Sequence, residues 1–281
     1  MNVTTAYEKA RAEGRAALVG YLPAGFPSVA GGISAVKAMI EAGVDLVEIG
    51  LPYSDPVMDG PVIQRATEQA LAGGVRTRDV IATVEAVSGA GVPVLVMSYW
   101  NPIEKYGVDA FARDLAGAGG AGLITPDLIP DEADEWLAAS DQHHLDRVFL
   151  ISPSSTDERI AMTVRHCRGF VYATAVMGVT GARDATSTAA PTLVARAKKV
   201  SGTLPVGVGL GVRSGVQAAE VGAYADGVIV GSALVSALAD GGEPALRTLT
   251  HDLRAGLTPD PLCVDHELRG VFDGVSPPLS S

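Results

Sequence analysis

At 281 residues the chain exceeds the usual size of one domain but lies within the span of a single α/β barrel. With 47% hydrophobic but only 5% aromatic residues, its core must come mainly from Val, Ile, Leu and Ala, which favours parallel strands under helices over an all-β fold. A net charge of -11 argues against a nucleic-acid surface, which needs clustered Lys and Arg, and is read as a solubility feature.

The start of the chain, residues 1–22, lacks the basic and apolar run of a signal peptide and reads as an amphipathic helix leading into a strand. Short apolar runs then recur, each followed by polar or Gly-rich residues and a helical pattern. The strands are expected at Ala17 to Leu22, Val44 to Ile49, Val92 to Met97, Gly122 to Ile124, Arg147 to Ile151, Gly169 to Ala173, Pro205 to Val208 and Gly227 to Val230. Among the helices between them are Gly31 to Ala42, Thr77 to Ser88, Thr156 to Cys167 and Thr188 to Val200. Eight such βα units predict a (β/α)8 TIM barrel with an extra N-terminal helix. The alternative is a doubly wound open sheet, but no GxGxxG follows Leu22. Residues 1–256 are expected to form the single catalytic barrel domain, and 257–281, rich in Pro, Gly and Ser, an irregular C-terminal tail. No apolar segment approaches bilayer-spanning length, so no membrane contact is expected. Two scattered cysteines, Cys167 and Cys263, form neither a disulfide framework nor a metal motif and fit a reducing cytoplasm.

In such a barrel the chemistry sits at the C-terminal ends of the strands and in the loops that follow. The second window, VEIGLPYSDPVMDGPVIQ (47–64), is the richest. Glu48 interrupts an apolar strand, so its carboxyl faces low-dielectric surroundings and should hold its proton to higher pH, as an acid-base group near neutrality requires. A structural Arg or Lys partner is the competing reading. The loop after it is long for a βα connection and contains Asp55 and Asp59. Taken alone, Asp55-Pro56 reads as turn chemistry and Asp59 before Gly60-Pro61 as a helix N-cap.

Gly178 to Arg183 after the sixth strand, Gly207 to Gly215 over the seventh and Gly231 to Val235 after the eighth supply close backbone approach and free N–H groups for a phosphate. Three such turns at consecutive strand ends favour a phosphorylated substrate over the competing reading, in which each glycine only ends a strand or caps a helix. Tyr21, Tyr53, Tyr99, Trp100 and Tyr172 fall near strand ends, where rings line a pocket for a flat, mostly apolar ligand or pack ordinarily. His143, His144, His166, His251 and His266 form no metal triad, and neither a nucleophile elbow nor a Walker motif is present. Cofactor-free acid-base chemistry is the expectation that remains.

The 47–64 segment, with YLPAGFP from Tyr21, MSYWNP from Met97, TPDLIPDEA from Thr125, VYATAVMGVTGAR from Val171 and GVIVGSALV from Gly227, resembles the tryptophan synthase alpha chain family in the same order. The resemblance runs from about Tyr7 to Arg254. It implies retro-aldol cleavage of indole-3-glycerol phosphate to indole and glyceraldehyde 3-phosphate, with Glu48 and Asp59 catalytic and no cofactor. It further implies substrate contacts from Tyr172, Tyr99, Tyr21, Thr180, Gly181, Gly211, Gly231 and Ser232. A beta subunit carrying pyridoxal phosphate is the implied partner, in an α2β2 heterotetramer, with Asp127 to Pro130 facing it and the loops 52–60 and 177–186 closing over substrate. Many relatives have Thr at the position of Pro23 and Pro at that of Ile129. The alternatives are a free-standing indole-3-glycerol phosphate lyase, a non-catalytic barrel that activates a partner, and a phosphosugar isomerase on the same fold.

Overall fold

A computed structural model describes residues 2–174 and 189–258. The chain begins with α1 (Val3–Ala12), capped by the Asn2 side chain, which accepts from Thr5 N. Strand β1 (Ala17–Pro23) follows, then α2 (Val29–Glu41) and β2 (Leu46–Gly50). Two helices, α3 (Pro61–Ala72) and α4 (Thr77–Val87), lead to β3 (Val94–Met97). Helices α5 (Trp100–Tyr106) and α6 (Val108–Gly117) lead to β4 (Gly122–Thr125), and α7 (Asp134–Gln142) to β5 (Asp146–Ile151). Then come α8 (Asp157–His166), β6 (Val171–Thr174), α9 (Ala189–Ser201), β7 (Val206–Gly209), α10 (Gly215–Gly222), β8 (Gly227–Val230) and α11 (Ser232–Leu257).

All eight strands pair in parallel and in sequence order, and β8 returns to β1 to close the barrel. The open-sheet alternative is thereby overturned: closure leaves no edge strand. Strand starts differ from the sequence expectation by a residue or two for local reasons. At β2 the turn before Leu46 is anchored by Asp45, whose carboxylate accepts from Leu18 N and from both terminal nitrogens of Arg15. At β3, Pro93 has no N–H to give the ladder, although its carbonyl still accepts from Val47 N. Helix α11 breaks at Gly242, where φ is 64°, a conformation open mainly to glycine.

Two apolar layers hold the barrel. The outer one packs outward-facing strand residues such as Val47, Ile49 and Val96 against Met39, Phe111 and Trp136 of the helices. The inner one fills the barrel with Ala17, Val19, Leu46, Leu95, Ile124, Val148, Phe170 and Ile229, and joins them to Val3, Ala6, Tyr7 and Ala10 of α1. Helix α1 therefore plugs the N-terminal end. Each large side chain so buried contributes about 1.5–3 kcal/mol. With the barrel interior filled from that end by apolar contacts, the C-terminal mouth is left open to a ligand. The tail from residue 259, with Cys263 and His266, lies outside the described residues, among which no helix is long and apolar enough to cross a membrane.

Candidate active site

Strand alternation decides where the carboxyl of Glu48 goes. Leu46 packs in the inner layer while Val47 and Ile49 pack in the outer one, so Glu48 shares the inward phase one step nearer the mouth. It stands in register with Tyr21 on one side and Leu95 on the other. Its side chain is buried, 1% exposed, and its Oε1 has no hydrogen-bond partner among the described residues. Burial alone pushes its pKa up to about 8 from 4.5. The structural-partner reading finds no support, since neither Arg nor Lys shifts this group.

Asp59 reaches the same cavity from the loop between β2 and α3. Gly60, not Asp59, occupies the N-cap of α3, with Pro61 in the first turn, where its missing N–H costs nothing. The helix-cap reading of Asp59 is therefore corrected. Its backbone carbonyl accepts from Gln64 Nε2 at 2.7 Å, and its Oδ1 accepts from the Tyr99 hydroxyl at 3.2 Å. Burial raises its pKa, and the Tyr99 hydrogen bond opposes that rise. Asp55 is exposed and accepts from the neighbouring Ser54 hydroxyl, in keeping with a turn role.

The cavity encloses about 810 Å³ with its mouth included and gathers residues from most of the strand ends. Tyr21 and Glu48 form one side with Met58, Asp59 and Ile63; Gly209, Gly211, Gly231 and Ser232 lie on the lining from β7 and β8. The glycines make room for the rings. A Cβ at Gly50 would stand 2.6 Å from Tyr21 Cζ, and one at Gly209 3.0 Å from Tyr172 Cζ. Tyr172 stacks toward Phe170 at 6.2 Å, so its ring is fixed from below. The hydroxyls of Tyr21 and Tyr172 are both held protonated, by burial first and by neighbouring carboxyls second. No Arg or Lys lines the cavity among the described residues; the donors they offer an anion there include the Ser232 hydroxyl and backbone N–H groups at the start of α11 next to Gly231.

Six of the expected substrate residues thus have described positions: Tyr21, Tyr172, Gly211, Gly231 and Ser232 line the cavity, whereas Tyr99 stands behind Asp59 and outside the lining. Tyr53 lies 5.5 Å from Tyr99, ring to ring, and Trp100 opens α5 with its N–H donated to the Asp127 carboxylate. Thr180, Gly181 and the loop 177–186 lie outside the described residues. Met97, Leu150 and Ile229, which are not among the residues expected from sequence, form the apolar floor. Their signal was available: each continues the inward phase of Leu95, Val148 and Gly227 by two residues.

A closed parallel barrel sealed at its base, with two desolvated carboxyls and an apolar floor at its mouth, is a (β/α)8 barrel with a candidate active site at the C-terminal ends of its strands. The model of the tryptophan synthase alpha chain family matches residues 7–255. The tryptophan synthase alpha chain of Mycobacterium marinum is 67% identical over 251 residues, 89% of this chain and 93% of the relative. A structure of Mycobacterium tuberculosis tryptophan synthase superposes with a TM-score of 0.88 at 62% identity, covering 92% of this chain and 98% of that one. Tryptophan synthase subunit alpha from Legionella pneumophila, 33% identical, superposes at 0.81 over 92% of this chain and 98% of its own. The chain belongs to the tryptophan synthase alpha chain family.

Proposed function

We propose that this alpha chain cleaves indole-3-glycerol phosphate to indole and glyceraldehyde 3-phosphate, with Glu48 as proton shuttle and Asp59 as the partner of the indole N–H. The observation that carries the reading is a fully buried glutamic acid with a free oxygen, sharing one cavity with a second carboxyl. With a pKa of about 8, Glu48 is protonated at neutral pH and can give its proton to indole C3. The ring then carries positive charge, delocalised onto its nitrogen, and the Asp59 carboxylate accepts a hydrogen bond from that N–H. Glu48, now a carboxylate, removes the proton of the side-chain hydroxyl next to C3. The C–C bond breaks, its electron pair restores the aromatic indole, the alkoxide carbon becomes the aldehyde, and Glu48 regains the proton it lent. Gly211, Gly231 and Ser232 would hold the phosphate, Tyr21 and Tyr172 the region around Glu48, and Thr180 and Gly181 the remaining contacts.

We assign the product indole to a beta subunit in a heterotetramer. Two exposed apolar side chains, Val57 after β2 and Ile129 after β4, stand at 69% and 42% exposure on loops at the mouth end and suit such an interface. Glu48→Gln tests the chemistry. Indole release should fall by at least about 10²-fold, the lower end of general acid-base contributions, while the circular dichroism of the fold is unchanged. Substantial residual turnover would remove Glu48 from this role. Assay of the wild type with and without added beta subunit separates a dependent subunit from a free-standing lyase.

A further inference from the structure

Tyr99 is the N-cap residue of α5, directly after the mouth end of β3, yet it makes its polar contacts with the loop that follows β2. The Met58 N–H donates to its hydroxyl at 3.0 Å. The same hydroxyl lies 3.2 Å from Asp59 Oδ1. An amide can only donate, and a phenol has a single proton, so that proton must be turned toward the carboxylate. The ring is itself braced by Tyr53, whose hydroxyl accepts from Asn101 Nδ2 at 3.0 Å.

Resting on the reaction assigned above, we propose that Tyr99 is a positioning residue for Asp59: it holds the carboxylate by Oδ1 and keeps it ionised at the cavity wall. Without that donor, a carboxylate facing Met58, Ile63 and the rings of the cavity would take up a proton more readily and could no longer stabilise charge on the indole nitrogen. The direction of the Tyr99 effect on Asp59 agrees, since the hydrogen bond lowers a pKa that burial raises. The other titratable groups facing this cavity are Tyr21 on β1, Glu48 on β2 and Tyr172 on β6. None of these is a cation. Tyr99 is thus the side-chain donor to Asp59 among the described residues.

The test is Tyr99→Phe, which keeps the ring against Tyr53 and removes only the hydroxyl. The acid limb of the kcat profile should move to higher pH, with kcat down about tenfold at the acid end and recovering as pH rises, as loss of one charge-assisted hydrogen bond implies. KM should stay within about twofold, because the variant leaves the cavity lining intact. A KM that rises equally at all pH values, with the acid limb unmoved, would make Tyr99 a wall of the substrate pocket and overturn the proposal. Titration of Asp59 by 13C-carboxyl NMR gives a readout independent of turnover: its pKa should rise in the variant, and an unchanged titration overturns the proposal. A wild type that releases no indole would instead refute the assigned reaction, while the titration still decides the part played by Tyr99.

Discussion

A carboxyl held neutral by burial is a cost to the fold that grows with pH, and Glu48 makes that cost measurable. In the unfolded chain it titrates at its ordinary 4.5; in the fold, at about 8. Between those values the native state holds a proton that the unfolded state has released, so stability must fall as pH rises through this window. It is level again above about 8, where both states are ionised. At about 1.36 kcal/mol per pH unit, the full gap is on the order of 5 kcal/mol, and burial at 1% exposure leaves little solvent screening to reduce it. Glu48→Gln removes the titration but retains the shape. Its amide creates a new desolvation penalty, but that penalty does not vary with pH, so the slope isolates the ionisation. Urea unfolding of wild type and variant, followed by circular dichroism at intervals from pH 5 to 9, should show the variant gaining on the wild type by several kcal/mol across the series. Contributions from Asp59 and other acids cancel in the difference. A difference that stays flat from pH 5 to 9 would mean that water or an unseen donor reaches Glu48, and would refute the burial reasoning along with the acid role built on it.

Gly209→Ala should place a methyl within 3.0 Å of the Tyr172 ring and force that ring to shift. We expect kcat/KM for indole release to drop about tenfold or more with the barrel still folded, as read by steady-state kinetics alongside circular dichroism. Arg15→Ala should cost about 3–5 kcal/mol in urea unfolding, because it leaves the largely buried Asp45 without its bidentate partner. The same variant, kept below its transition, should turn over at the wild-type rate, since Arg15 lies at the sealed end of the barrel.

Much of this architecture was legible in the sequence because its signals were local. Every strand was announced by a short apolar run, and the closing order follows once eight such runs alternate with helices. Glu48 was legible for the same reason: one charge inside an apolar strand has few structural explanations. What could not be read was anything depending on how a loop returns. Asp59 before Gly60-Pro61 looks like a helix cap until the chain is seen to give that position to Gly60 and to turn the aspartate toward Tyr99, 40 residues away in sequence. Tyr99 looked like a pocket wall because strand ends are where pocket walls come from. Its place beside Asp59 goes with contacts to Tyr53, Met58 and Asp59, all 40 or more residues away in sequence, that no periodicity encodes. Thr180 and Gly181 fall outside the described residues and stay expectations of the family.

The two carboxyls differ in the element that bears them, and that difference matches the parts proposed for them. Glu48 stands on a strand fixed by ladders on both sides, with apolar layers below it, so its pKa is set by a rigid environment and is raised by burial alone. A proton shuttle needs this: the same group must be acid and then base within one turnover, and a fixed site near neutral pKa serves both halves equally. Asp59 stands on a loop, less buried, with burial and a phenol hydrogen bond pulling its pKa in opposite directions. A group that must remain an anion needs this second influence, because desolvation by itself favours the neutral form. Exchanging the two environments would give the proposed shuttle a donor that favours its charged form and leave the proposed stabiliser to burial alone, opposing both parts assigned to them.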